Sequence, residues 1–400
     1  MKLVEQTFIN PNHPLFKTID RLCFLSKNVY NVINYRIRQN YFENGKWLSW
    51  MDVIKQLANE NQTDYRSLPA KISQTIGKLI GQNYQSFFAL RKKADNHAGI
   101  PRYLNKQGRY VIEFNPQTIS KPKYIDDKYM YIVCTKTLHL TIFSKHDNIR
   151  AIRFIPKGIG YMQECIYEKP TIEYVNNNHY ASIDLGLNNL MTVVNNLGKP
   201  SLIINGKPLK SINQFYNKKM SLSQRLLSKN NQYSSKNTKR LGMKRYFKLK
   251  HYCHTATAYL VNYLASMSIS NLVIGNNKHW KQNIQMGKHG YQHFVFVPYQ
   301  MLIKQLTYKC QLKGIKTIIT EESYTSKSSF MDRDILPVYG DTKVTFAGKH
   351  IKRGLYKTKD GRKINADING AFNILRKAID NDIYNQSYDC FNVQKVTCVA

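Results

Sequence analysis

The chain has 400 residues and carries 60 Lys and Arg against 25 Asp and Glu, a formal net charge of +35. A core of domain size can be buried at this length, in two or three domains, but the surface repels itself unless a polyanion neutralises it, which makes nucleic acid the favoured partner. A membrane surface is disfavoured because charge, Asn and aromatic residues are mixed along the chain instead of facing an apolar side; no apolar run approaches the roughly 20 residues of a membrane span. Seven scattered cysteines include no CxxC pair, which excludes a spaced zinc ribbon and a disulfide framework. With no hydrophobic signal core at the N-terminus, the expected compartment is the reducing cytoplasm.

In chain order, "KLVEQTFIN" predicts a strand, and Pro14 opens a helical pattern on Ile19, Cys23, Val29, Ile33, Ile37 and Tyr41. A second helix starts at "SLPAKIS" with the stripe Ile72, Ile76, Leu79, Ile80, Tyr84, Phe87 and Phe88, and stops before Gly99 and Pro101. Five strand-like runs follow: "RYVIEF", "YMYIVCT", "LHLTIF", "NIRAIRFIP" and "GYMQECIYE". This order predicts a small wedge-like β-barrel from residues 1–10 and 100–178, with a helical insertion at 11–99. From Tyr180 the pattern changes to an α/β layer over 179–380: strands "ASIDLGL", "LMTVVN" and "SLIIN", a basic segment entering a helix at "HTATAYLVNYLASMSI", strand "NLVIG", a helix from Pro298 to Gly314, strand "IKTIIT", and a last helix in "NADINGAFNILRKAI". An irregular insertion lies at about 323–366, and residues 381–400 lack any period, which predicts a disordered tail. The fold class is therefore α/β with an N-terminal β part.

From Leu185 through Thr320 there is no Asp or Glu. Asp184, between Ile183 and Leu185, sits where a strand interior rejects Asp. It either caps the turn at Gly186 or does chemistry. Asp367, at the start of the last helix, could cap that helix while facing the same sheet. An acid on the first strand and another on the terminal helix match the order of an RNase H-like fold. Phosphodiester hydrolysis in such a site uses carboxylates that bridge two Mg²⁺ ions about 3.5–4 Å apart. The third carboxylate commonly ends the strand beside the first, but that position here is Gly275. Acid reappears as Glu321 and Glu322 at the end of the next strand, about 10 Å away by strand spacing. One of them, Glu321 or Glu322, could lean back across Gly275; otherwise "TEES" is a solvated cap.

The stretches "LSKNVYNVINYRIRQNYFENG", "SIDLGLNNLMTVV", "LVIGNNKHWKQN", "TEESYTSKSSF" and "GLYKTKDGRKINADINGAFNILRK" together resemble the TnpB family: transposon-encoded RNA-guided DNA nucleases with a RuvC-like site, related to type V CRISPR effectors. The similarity is to the branch whose second acid has moved to a downstream "EES" motif. It implies Asp184, Glu322 and Asp367 as the acids, Mg²⁺ or Mn²⁺ as cofactor, a guide RNA from the element, double-stranded target DNA beside a short motif, and a nucleoid setting of prokaryotic type. The family's zinc-ribbon cysteines fall here on Ser329, Asp332, Lys357 and Asp360. That set offers neither sulfur nor histidine, so no structural zinc is expected.

Lys218, Lys219, Arg225, Lys229, Lys236, Lys239, Arg240, Lys244, Arg245, Lys248 and Lys250 lie in an acid-free stretch and are read as contacts to RNA or DNA phosphate in preference to a solvated face. Trp280 is a minor candidate for the substrate channel, while His254 and His279 read as structural. Two other functions stay open: a nuclease-dead, RNA-guided repressor, opposed by the retention of Asp184 and Asp367, and a strand-transfer transposase, opposed by the lack of a recognisable helix-turn-helix.

Overall fold

Alternation in "KLVEQTFI" produces strand β1 (Lys2–Ile9), which pairs antiparallel with a later strand, Lys2 opposite Glu168 and Ile9 opposite Tyr161. The computed structural model describes residues 1–93, 97–134, 139–276, 297–337, 345–352, 354–379 and 388–398. They fall into two units, Met1–Lys169 and Pro170–Ala400. In the first unit, helix α1 (Phe16–Asn44) ends at Gly45, whose φ of 67° suits a residue without a Cβ. It buries Ile19, Cys23, Val29, Ile33 and Ile37 along the expected stripe. Helices α2 (Trp50–Asn59), α3 (Thr63–Arg66) and α4 (Ala70–Lys92) follow. Helix α2 was not expected, although the Ser49 side chain accepts from Asp52 N at 3.1 Å, a usual helix start. On α4, Ile72, Ile76, Ile80, Tyr84 and Phe87 are buried, but Phe88 remains 40% exposed.

The remaining strands of this unit are β2 (Ile112–Phe114), β3 (Lys123–Ile125), β4 (Lys128–Cys134), β5 (His139–Ser144), β6 (Ile149–Lys157) and β7 (Gly160–Glu168). Among the described residues they form two sheets, β1-β7-β6-β2 and β3-β4-β5, and the expected barrel is not seen to close. The physical reason lies at the outer edge of β1. Its Glu5 carboxylate accepts from Ser144 Oγ at 2.5 Å and Lys145 N at 3.1 Å, side-chain contacts where a closed barrel has a backbone ladder. A cleft of about 530 Å³, lined by Glu5, Thr7, Ile142 and Phe143 among others, lies there.

The second unit is built on a six-stranded sheet. Its strands are β8 (Tyr180–Asp184), β9 (Asn189–Asn195), β10 (Ser201–Asn205), β11 (Asn271–Gly275), β12 (Lys316–Thr320) and β16 (Val393–Val396), ordered β12-β11-β8-β9-β10-β16. A small second sheet joins β13 (Lys349–Lys352), β14 (Leu355–Lys357) and β15 (Lys363–Asn365) inside the insertion. The helices are α5 (Lys207–Ser228), α6 (Lys236–Ser266), α7 (Tyr299–Leu312) and α8 (Ala366–Arg376). Strand alternation splits the core. Ala181, Ile183, Leu272 and Ile274 pack with Leu260, Leu264, Leu302 and Leu306 of α6 and α7, while Val194 and Val273 pack on the other face against Ile368, Phe372 and Leu375 of α8.

Two boundaries depart from expectation. The second unit begins before residue 178 because its first residues are tied to the end of α6 and to β11: Asn177 Nδ2 donates to Ser268 O at 2.6 Å and Tyr174 OH to Asn271 Oδ1 at 2.9 Å. Within the tail expected to be disordered, β16 pairs in parallel with β10, and Cys390 and Cys398 are buried. An edge strand takes its order from its partner and needs no period of its own. No helix among the described residues is long and apolar enough to cross a membrane.

Candidate active site

Strand β8 ends at Asp184. Ala181 and Ile183 face α6 and α7, so Ser182 and Asp184 face α8. Ser182 Oγ donates to Ala371 O of α8 at 2.7 Å. This close approach explains Gly370: a Cβ there would stand 3.0 Å from Asp184 Oδ2. Asp367 lies in the first turn of α8, but it is not the cap. Asn365 Oδ1 accepts from Asp367 N at 2.9 Å and Ile368 N at 3.3 Å, leaving the Asp367 carboxylate to accept from Asn189 Nδ2 at 2.6 Å.

The two glutamates beyond β12 separate. Glu321 is exposed and accepts from Lys377 Nζ at 2.7 Å; partial burial raises its pKa, but this contact and the bonds from Ser323 outweigh it and hold the carboxyl below its usual value. Glu322 turns back toward β11, where a Cβ on Gly275 would meet its Oε1 at 2.5 Å and its Cγ at 2.7 Å. Burial, then the charges of Glu322 and Asp367, raise the Asp184 carboxyl well above its usual range. Burial, with the charge of Glu321 opposed by Lys377, pushes Glu322 up to about 7. The phenol of Tyr299, at the start of α7, is also raised by burial and then by the charges of Asp184 and Glu322, and it donates to Gly186 O at 3.2 Å. Asp184, Glu322 and Asp367 thus share one electrostatic neighbourhood. Among the described residues no three His, Cys, Asp or Glu side chains are already arranged to hold a metal ion.

At the positions that match the family's zinc-ribbon cysteines, Ser329 Oγ donates to Asp332 Oδ2 at 2.6 Å, and that same oxygen accepts from Lys359 N at 3.0 Å, so a carboxylate links the two loops. Asp360 accepts from Thr358 Oγ1 at 2.5 Å and pairs with Arg362. Of the basic candidates, Lys218, Lys219 and Arg225 on α5, Lys229 beyond it, and Lys236, Lys239, Arg240, Lys244 and Lys248 on α6 are exposed, and Lys250 is half-buried. Arg245 is half-buried. Its Nε donates to Asn213 Oδ1 at 2.7 Å and its guanidinium lies 4.8 Å from the Tyr216 ring centre, tying α6 to α5. His254 is half-buried, and burial and nearby Lys309 pull it down to about 4. Trp280 and His279 lie outside the described residues.

Sequence reasoning missed Asn189 and Tyr299. Asn189 carried a weak signal, a second Asn directly after the "DLGL" turn, whereas nothing in the sequence marks Tyr299.

The OrfB_IS605 family, described as a probable transposase, matches residues 164–281, and the Cas12f1-like TNB domain family matches residues 299–374. The TnpB-like protein ORF457 of Acidianus two-tailed virus is 24% identical over 410 residues, covering 92% of this chain and 85% of that protein. The cryo-EM structure of a Cas12f1–sgRNA–target DNA complex superposes with a TM-score of 0.56 at 14% identity, covering 90% of this chain and 82% of that one. The mixed α/β fold with several sheets is thus of the Cas12f1 kind, and residues 164–281 are similar to the probable-transposase family. Within that likeness, the curated relative that the chain resembles along most of its length is a TnpB-like protein.

Proposed function

We propose that the protein is an RNA-guided DNA endonuclease of a transposable element, cutting target DNA beside a short motif at an RNase H-like site formed by Asp184, Glu322 and Asp367. The observation that supports this reading is that Glu322, after β12, fills the space over Gly275, whose strand lies beside β8, and that Asp184 at the end of β8 is raised by burial and by the charges of Glu322 and of Asp367 at the start of α8. Their chemistry fits a hard divalent cation: all donors are carboxylate oxygens, and a cation relieves the like charge on Asp184. Bound Mg²⁺, or Mn²⁺ in its place, stabilises charge on the attacking and leaving oxygens of the phosphodiester. Asp184, Glu322 and Asp367 would hold the ions. Asn189 fixes one oxygen of Asp367 by its 2.6 Å bond and so sets how the other is presented. The exposed cations of α5 and α6 offer charge to the phosphates of guide RNA or heteroduplex, while base pairing reads the sequence. The relatives named for a guide-RNA complex and for TnpB support both partners.

The test is plasmid cleavage by protein purified with its RNA, beside a gel-shift assay on the same target. Asp184→Ala and Asp367→Ala should each lower cleavage by about 10²-fold or more, the scale of losing one preorganised electrostatic contact, while guided binding persists. Near-normal cutting by either variant overturns the site. Guided binding by a wild type that leaves DNA intact in Mg²⁺ and Mn²⁺ overturns the activity.

A further inference from the structure

Glu322 stands beyond the last paired residue of β12, Thr320, so no strand ladder fixes its backbone. Two residues on, Tyr324 has a φ of 63°, a left-handed conformation that a bulky side chain keeps only when its surroundings impose it. What surrounds this segment is one face of α8. Asn369 and Asn373 on the helix and Lys377 just past it are spaced four apart, hence one above another.

Lys377 Nζ donates to Glu321 Oε2 at 2.7 Å and to Ser323 O at 2.8 Å, one bond on either side of Glu322. Asn373 Nδ2 donates to Thr325 O at 2.8 Å and Ser328 O at 2.7 Å. Asn369 Nδ2 donates to Ser328 O at 2.7 Å, and its Oδ1 accepts from Phe330 N at 2.9 Å. Both asparagines are fully buried. Asn is a poor helix former, and a buried amide is costly unless bonded, so two of them in succession on a short helix mark a contact the fold needs.

We propose that Asn369, Asn373 and Lys377 are positioning residues that aim Glu322 at the site, replacing the strand support an acid at Gly275 would have. The helix that carries Asp367 thereby also sets the second carboxylate. This inference rests on the reading of Glu322 as a metal-binding acid.

The experiment compares wild type, Lys377→Met, Lys377→Arg, Asn373→Leu and Glu322→Gln as RNA-loaded complexes, measuring cleavage across a Mg²⁺ titration, target-DNA affinity, melting temperature and amide exchange over residues 323–330. Removing a group that orients a metal ligand costs about 10–100-fold in metal affinity or activity. Lys377→Met should therefore slow cleavage at limiting Mg²⁺ and raise half-saturation on that scale, leave DNA affinity within about twofold, and speed amide exchange, with Lys377→Arg restoring most of the loss. A merely structural role lowers melting temperature without moving the Mg²⁺ half-saturation. If Glu322→Gln is inactive while Lys377→Met and Asn373→Leu both cut with wild-type rate and Mg²⁺ dependence, the ladder is overturned; Lys377, near the helix end, keeps this decisive if Asn373→Leu does not fold. Near-normal cutting by Glu322→Gln instead removes the reading of Glu322. In that case unchanged exchange over 323–330 in Lys377→Met overturns the ladder as well, and faster exchange upholds its hold on the loop.

Discussion

A Cβ on Gly275 would stand 2.5 Å from Glu322 Oε1 and 2.7 Å from both Glu322 Cγ and Ile374 Cδ1. One space thus accepts either a side chain on β11 or the Glu322 carboxylate, not both. Glu322→Gln keeps the size and removes the charge, so cleavage should fall about 10²-fold or more. Glu321→Gln, whose amide oxygen can still accept from Lys377, should keep most activity. The measurement is plasmid cleavage by the RNA-loaded complexes, and equal rates for the two variants would remove the distinction between the glutamates. The same geometry selects the background for a rescue. Glu322→Ala clears the space that Gln would fill, so Gly275→Glu added to it should restore part of the cutting. Gly275→Glu alone, with Glu322 still in place, should cut poorly.

Between α6 and α7, Lys309 Nζ donates to His254 O and to Thr257 Oγ1, each at 2.7 Å, and burial pulls its pKa from 10.5 down to about 8. Between those two values the unfolded chain binds more protons at Lys309 than the folded one does, so this residue adds stability as pH rises from about 8 toward 10.5. Melting curves at pH 7.5 and 9.5 should show it as a difference: relative to Lys309→Met, wild type gains melting temperature on going up. A parallel response of the two proteins would mean Lys309 titrates normally. Helices of this kind were legible in part. The stripes of α1 and α4 follow apolar periodicity, whereas the first half of α6 is basic with no clear stripe and starts at a Ser235–Thr238 capping box instead. Elements α2 and β16 escaped for related reasons: one is short and signalled chiefly by its cap, the other is ordered by its neighbour. In the site, Asp184, Asp367 and the doubled acid stood out because carboxylates are scarce in this chain. Their supports did not. Asn189 meets Asp367 across 178 positions and Lys377 meets Glu321 across 56, and no local pattern records such pairings.

A net charge of +35 acts on the whole molecule, but only cations free to approach a phosphate release counter-ions. On α6, Lys236, Arg240, Lys244 and Lys248 are exposed and spaced four apart, which makes one winding row along the helix. Arg245, bonded to Asn213, does not belong to it. Reversing the four row residues to Glu should lower RNA affinity and take about 3 from the slope of log affinity against log salt, since each phosphate contact contributes roughly 0.7–0.9. Arg245→Gln is the internal comparison. It should leave the slope nearly unchanged and lower the melting temperature, because it loosens the tie between α5 and α6. Titrating RNA binding over a salt series separates the two effects, since general loss of folding reduces active protein without changing the slope of what remains. If the four-fold reversal leaves both affinity and slope where they were, the row is a solvated face, and the phosphates must be met by other cations of this chain.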